Sequence, residues 1–169
     1  MPERASYEIF DTRRDLLAVV RETDRRSRLE ALASEVPKAR AFTVTSARHE
    51  PLLTLVMPDE WHAELTEPGG RLVGRIKVGA NRREYTLLDD QDAVAGEAEG
   101  DLSVTKFVVA GPAGEHYAQL RKTWAGLRKE LFTEADNYTL TFTGQVPPHV
   151  RPLIVMLPIV LDIAAHGPY

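Results

Sequence analysis

The sequence predicts an all-β protein whose antiparallel hairpins, about eleven or twelve short strands in total, surround one buried C-terminal helix. Segments with an apolar residue at every second position fill most of the chain and are separated by turns at near-regular intervals. A nearly continuous apolar run closes the sequence, and a helix that is apolar on all sides must be buried. Because so many strands enclose more space than their side chains can fill, the helix is expected inside a closed barrel, which also removes unpaired edges.

The predicted strands follow one another as hairpins along the chain. The first hairpin comprises residues 7–10 and 16–21, and apolar residues at helical spacing then predict a short helix over residues 23–36. Four further hairpins and a last strand complete the sheet, at residues 41–56, 62–78, 85–98, 106–120 and 137–142. Polar or glycine-containing turns divide these four hairpins, as at residues 67–71.

The apolar run covers residues 153–165 and contains a single charge, Asp162. It is shorter than the ~20 residues that a membrane-spanning helix needs, and it also contains Pro158. We therefore expect a core helix at about residues 149–166, although insertion into a membrane is the alternative interpretation. The residues expected in the core are Leu153, Val155, Leu157 and Leu161.

Composition limits the class of protein. With 169 residues, 43% of them hydrophobic and 27% charged, the chain is expected to form a single domain over residues 1–169. The absence of cysteine excludes disulfides, cysteine-based metal sites and cysteine nucleophiles. A net charge of -4 disfavours a uniformly basic nucleic-acid-binding protein, so no nucleic-acid partner is expected.

Several segments together resemble the phospholipid scramblase and LURP-one-related proteins, which share the tubby C-terminal fold. The most specific segment is KTWAGLRKELFTEADNY at residues 122–138, and it is supported by YEI at 7–9, LLTL at 52–55, GRI at 74–76 and the final apolar helix. The resemblance implies a barrel of about twelve strands around a central C-terminal helix. Animal scramblases are associated with calcium-dependent lipid exchange, and tubby proteins bind phosphoinositides.

The resemblance leaves three functions open. The leading hypothesis is a non-enzymatic, scramblase-like module that binds anionic lipid headgroups or a protein partner. The alternatives are lipid transport between leaflets and a structural or regulatory protein-interaction module. The chain lacks the G-x-S-x-G, P-loop and G-x-G-x-x-G motifs, so neither catalysis nor a cofactor is expected.

A weak calcium candidate follows from the resemblance. The calcium segment of scramblases would begin at Glu134 and include Asp136, but its last position is the neutral Gln145. The alternating Tyr138, Leu140 and Phe142 in between are typical of a strand, which cannot surround a cation as a calcium-binding loop does. The acidic hairpin at residues 89–101 is a second weak candidate for a cation, and it is also typical of a solvated face.

Basic residues around the second long hairpin are candidates for lipid headgroup binding. Arg71, Arg75 and Lys77 share one face of a strand, since their numbers differ by even steps. Arg82 and Arg83 follow in the next turn. The alternative is ordinary surface charge, balanced by nearby glutamates.

The N-terminus has no apolar segment typical of a secretory signal, and the chain offers no lipidation motif. We therefore expect a cytoplasmic monomer, with peripheral membrane association as an open alternative.

Overall fold

Over the residues that the structure describes, the chain forms an antiparallel sheet of 11 strands and the C-terminal helix that the sequence predicts. The computed structural model describes residues 5–23, 39–123 and 137–166. The strands are β1 (Ser6–Phe10), β2 (Leu16–Glu22), β3 (Arg40–Ser46), β4 (Pro51–Asp59), β5 (His62–Thr66), β6 (Leu72–Val78), β7 (Glu84–Leu88), β8 (Val94–Gly100), β9 (Lys106–Ala110), β10 (His116–Thr123) and β11 (Asn137–Phe142). The helix is α1 (Arg151–His166). The short helix expected over residues 23–36 lies outside the described residues, apart from its first residue.

The strands are arranged as a meander, and each one pairs with the strand that follows it in the sequence. Consequently, the turns after β1, β3, β5, β7 and β9 lie at one end of the sheet, which we call the first end. The turns after β4, β6 and β8 lie at the opposite end, which we call the second end. The 11 strands form one sheet, and no pairing between β1 and β11 joins its two edges within the described residues.

The period-two pattern of the sequence separates a buried face from an exposed one. Ala63, Ile76 and Leu87 lie side by side on β5, β6 and β7, and all three are buried. One register position away, Glu64 pairs with Arg75 on the outer face, where both side chains reach solvent. A shift of one residue would exchange these two sets, so the alternation fixes the register.

Most of the tight turns use one hydrogen-bonding arrangement. In the first, the N–H of Asp11 donates to the carbonyl oxygen of Asp15, and that of Arg14 donates to Asp11. The fourth residue of such a turn has a positive φ, for example 66° at Arg14 and 64° at His49. The Asp11 carboxylate also accepts the N–H groups of Arg13 and Asp15, which explains why short polar residues begin these turns.

The sheet curls around α1. The helix contacts β6 in the middle of the sheet and β11 at one edge, while Tyr7 of β1 donates a hydrogen bond to Asp162. A flat sheet of this size would be roughly 50 Å wide, whereas a helix is only about 10 Å across. One helix therefore reaches the middle and both edges only because the sheet is strongly curved.

The helical residues expected in the core lie against the inner face of the sheet. Leu153, Leu157 and Leu161 are buried, and Val155 is partly buried and packs against the same core. Gly74 allows the close approach of α1 to β6, since a Cβ at this position would lie 3.0 Å from Cδ1 of Leu153 and against the carbonyl oxygen of Leu88.

Candidate functional site

The five basic residues proposed for headgroup binding do not form one cluster. Arg71 lies in the β5–β6 turn at the first end, while Arg82 and Arg83 lie in the β6–β7 turn at the second end. β6 separates the two turns, and its 7 residues correspond to roughly 20 Å. Arg75 and Lys77 lie on the outer face of β6 between them. Arg75 and Lys77 do share one face of β6, as predicted, but this face extends along the strand and does not form a pocket.

The guanidinium group of Arg75 forms ion pairs with two carboxylates. Its Nη1 lies 2.5 Å from Oδ1 of Asp92, and its Nε lies 3.6 Å from Oε2 of Glu64. The hydrogen bond with Asp92 raises the pKa of Arg75 above its ordinary value. Because two negative charges flank one guanidinium group, Arg75 contributes little net positive charge to this face.

Arg82 holds two turns of the second end together. Its guanidinium carbon lies 5.2 Å from the ring centroid of Trp61, and its Nη2 lies 3.4 Å from Oε2 of Glu60. The hydroxyl of Tyr85 donates to the backbone oxygen of Arg82. The Nε atoms of Arg82 and Arg83 are buried and have no hydrogen-bond partner among the described residues. These contacts give Arg82 a role in packing.

Arg71 and Lys77 are the accessible members of the predicted set. Both side chains are exposed, and neither forms an ion pair within the part of the chain that the structure describes. Among the described residues, no carboxylate therefore neutralises either of these two charges.

Glu134 and Asp136 lie outside the described residues, and the strand predicted to follow them is present as β11. Over residues 5–23, 39–123 and 137–166, no group of three or more histidine, aspartate or glutamate side chains is arranged to hold a metal ion.

Two carboxylates of the acidic hairpin stabilise turns instead. Asp89 accepts the N–H groups of Gln91 and Ala93. Asp101 accepts the N–H of Thr105, which holds the pKa of Asp101 below its ordinary value.

The comparison with protein families matches the family described as Scramblase, over residues 35–166. The chain belongs to the Scramblase family. The matched region contains β3 to β11 and α1, whereas the β1–β2 hairpin precedes it. No curated protein and no solved structure shows a significant match. None of the helices in the described residues of this Scramblase-family chain has the length and apolar character required to cross a membrane.

Sequence reasoning missed one surface of this Scramblase-family chain. Phe10, Leu17 and Leu52 are exposed at the first end, close to the turns that carry Arg13, Arg14 and Arg48. We call these six residues the apolar–arginine corner. A signal was available in the sequence, because Leu17 alternates out of phase with the buried Ala18 and Val20 of its own strand.

Proposed function

We propose that this protein is a non-enzymatic module that binds anionic phospholipid headgroups at a membrane surface. The observation that carries the proposal is the Scramblase-family match over residues 35–166, since the family is named for an action on phospholipids. Arg71 and Lys77 support it, since both are exposed and neither forms an ion pair with another described residue. A basic side chain close to an anionic membrane contributes about 1 kcal/mol of attraction.

The proposal includes closure of the curved sheet into a barrel of about twelve strands. Its support is that both edges of the sheet reach the same helix: Tyr7 of β1 bonds to Asp162, and β11 contacts α1 directly. A closed wall would keep the apolar face of α1 away from lipid and leave the outer face and the turns for binding.

Vesicle flotation tests the headgroup proposal. The protein is mixed at low salt with vesicles of phosphatidylcholine alone or with added phosphatidylserine, and the bound fraction is measured. We expect binding to the anionic vesicles, weakened by salt. Absence of binding at low salt would refute the proposal.

A matched pair of charge variants tests where the headgroups bind. The double change Arg71→Gln and Lys77→Gln is expected to lower the affinity about 30-fold, from about 1 kcal/mol for each charge. The control is the double change Lys106→Gln and Arg121→Gln, which removes the same charge from a cross-strand pair on β9 and β10. Equal losses in both variants would show that only net charge matters and would exclude Arg71 and Lys77 as the site.

Lipid transport between leaflets is the second candidate, and the family match favours it. The burial of Leu153 and Leu157 opposes it, because these side chains fill the inside of the sheet and are not available to a bilayer. A reconstituted flip assay with fluorescent lipid and dithionite separates the two functions. A rate equal to that of empty vesicles would exclude transport and leave binding intact.

A further inference from the structure

Phe10, Leu17 and Leu52 are large apolar side chains exposed on β1, β2 and β4 at the first end of the sheet, where Val94 of β8 and Phe142 of β11 are exposed as well. Phe10 is 52% exposed, Leu17 50% and Leu52 42%. All three point away from the core, since their neighbours Ile9, Ala18 and Leu53 are the residues that pack inward. Contiguous exposed apolar surface on a small protein is a common sign of an interaction site.

The strand register brings these side chains close to one another. Phe10 of β1 pairs with Leu16, directly beside Leu17. The carbonyl oxygen of Leu17 accepts the N–H of Ala47 at 3.2 Å, which joins β2 to the β3–β4 turn. Leu52 follows this turn at a register shift of β4. Phe10 and Leu17 therefore lie on neighbouring strands, and Leu52 lies on β4, across β3 from Leu17, so the three span a width of roughly 14 Å.

Three arginines lie in the turns next to the apolar patch. Arg13 and Arg14 lie in the β1–β2 turn and Arg48 in the β3–β4 turn, all exposed and without an ion pair among the described residues. Asp15 and Glu50 are exposed in the same turns, so the corner carries little net charge. Guanidinium groups bind phosphate through paired hydrogen bonds, and apolar side chains between them favour the boundary between headgroups and acyl chains.

We propose that the apolar–arginine corner docks on the interfacial region of a phospholipid bilayer, with Phe10, Leu17 and Leu52 inserted and the three arginines on lipid phosphates. This inference rests on the proposed function and adds an orientation, in which the first end of the sheet faces the membrane. Arg71 occupies the next turn along the same end, where it reaches the headgroups, whereas Lys77 lies near the second end of β6. In this orientation the double charge variant should therefore lose only the share of Arg71, about 5-fold. The β1–β2 hairpin, which carries four of the six corner residues, lies outside the family match, whereas Arg48 and Leu52 lie within it.

Sedimentation with sucrose-loaded vesicles of phosphatidylcholine and phosphatidylserine tests this orientation. The double variant Phe10→Ser and Leu17→Ser is expected to lower the partition coefficient at least tenfold, since it removes two half-exposed apolar side chains from the inserted surface. The control is Leu102→Ser, because Leu102 is 86% exposed in the β8–β9 turn at the opposite end. The control is expected to bind as the unchanged protein does. All variants are first shown to unfold cooperatively well above the temperature of the binding assay, so that a loss of binding reports on the surface and not on unfolding.

The outcomes separate this inference from the proposed function. Unchanged binding by the Phe10→Ser and Leu17→Ser variant, in a protein that does bind vesicles, would overturn the orientation and leave headgroup binding standing. Failure of the unchanged protein to bind any vesicle would overturn both. Size-exclusion chromatography supplies a third outcome. If the unchanged protein elutes as a dimer and the double variant as a monomer, the corner binds a second copy of the chain, and the inference is overturned.

Discussion

Truncation of Leu157 to alanine tests whether α1 is the core of the protein. Leu157 is 0% exposed on the inner face of the curled sheet. The change removes three carbon atoms, worth about 2.4 kcal/mol of transfer free energy at about 0.8 kcal/mol for each. The cavity left in a closely packed interior adds to this loss, so we expect a decrease of about 3–4 kcal/mol in the free energy of unfolding. For a protein of this size, the melting temperature should fall by about 6–16 °C.

The measurement is a urea titration followed by circular dichroism, with thermal melting as a second readout. Leu102→Ala is the matched control, because it removes the same atoms from a side chain that is 86% exposed, and a loss below about 0.5 kcal/mol is expected. If Leu157→Ala were as mild as its control, α1 could not be in the core and the membrane-anchor interpretation would return. Leu157→Asp, which buries an unpaired charge, should prevent folding altogether.

Three further predictions concern single positions. Gly74→Ala should lower the free energy of unfolding by about 1–3 kcal/mol, because its Cβ meets the backbone of β7, whereas Gly69→Ala, with open space around it, should change stability little in the same urea titration. His49→Gly should raise the free energy of unfolding by about 0.5 kcal/mol, because relief of its left-handed backbone exceeds the added entropy of glycine in the unfolded chain; a lower melting temperature would contradict this. The pKa of Asp101 is lower in the folded protein, so its contribution to stability should be present above pH 3.8 and be lost as the pH falls below that value. A carboxyl titration followed by NMR should therefore place the midpoint of Asp101 below 3.8, and a midpoint at or above it would refute the proposed turn contact.

The sheet was predictable from the sequence because its physical cause is local. Alternation of buried and exposed residues and short polar turns act over a few residues, and the predicted hairpins coincide with β1 to β10. Contacts between side chains that are distant in the sequence were harder to predict. The sequence named Arg75 as a headgroup candidate and left balance by nearby glutamates as the alternative, because it does not show which side chains pair. The structure holds Arg75 between Glu64 and Asp92.

The candidate surface was harder to predict than the fold for the same reason. Whether a basic side chain is accessible depends on neighbours from other strands, as the stacking of Arg82 on Trp61 shows. The exposure of Phe10 follows the alternation of β1, but its position beside Leu17 depends on a register shift between Ile9 and Phe10, which the sequence alone does not reveal. The number of charged residues can be counted from the sequence. Which of them a ligand can reach depends on how the strands pair, because that pairing decides which side chains are neighbours.

A hydrogen bond from Tyr7 explains how the carboxyl group of Asp162 can lie inside an otherwise apolar helix. Its side chain is 5% exposed, and its Oδ2 accepts a hydrogen bond from the hydroxyl group of Tyr7, with 2.8 Å between the two oxygens. Burial and the neighbouring Asp162 raise the pKa of Tyr7, so this hydroxyl keeps its proton and remains a donor. The bond joins α1 to β1, which lies outside the family match and carries Phe10 of the apolar–arginine corner. The residue that made a membrane-spanning helix improbable in the sequence is therefore one that fixes the N-terminal hairpin, and with it the proposed docking surface, to the core.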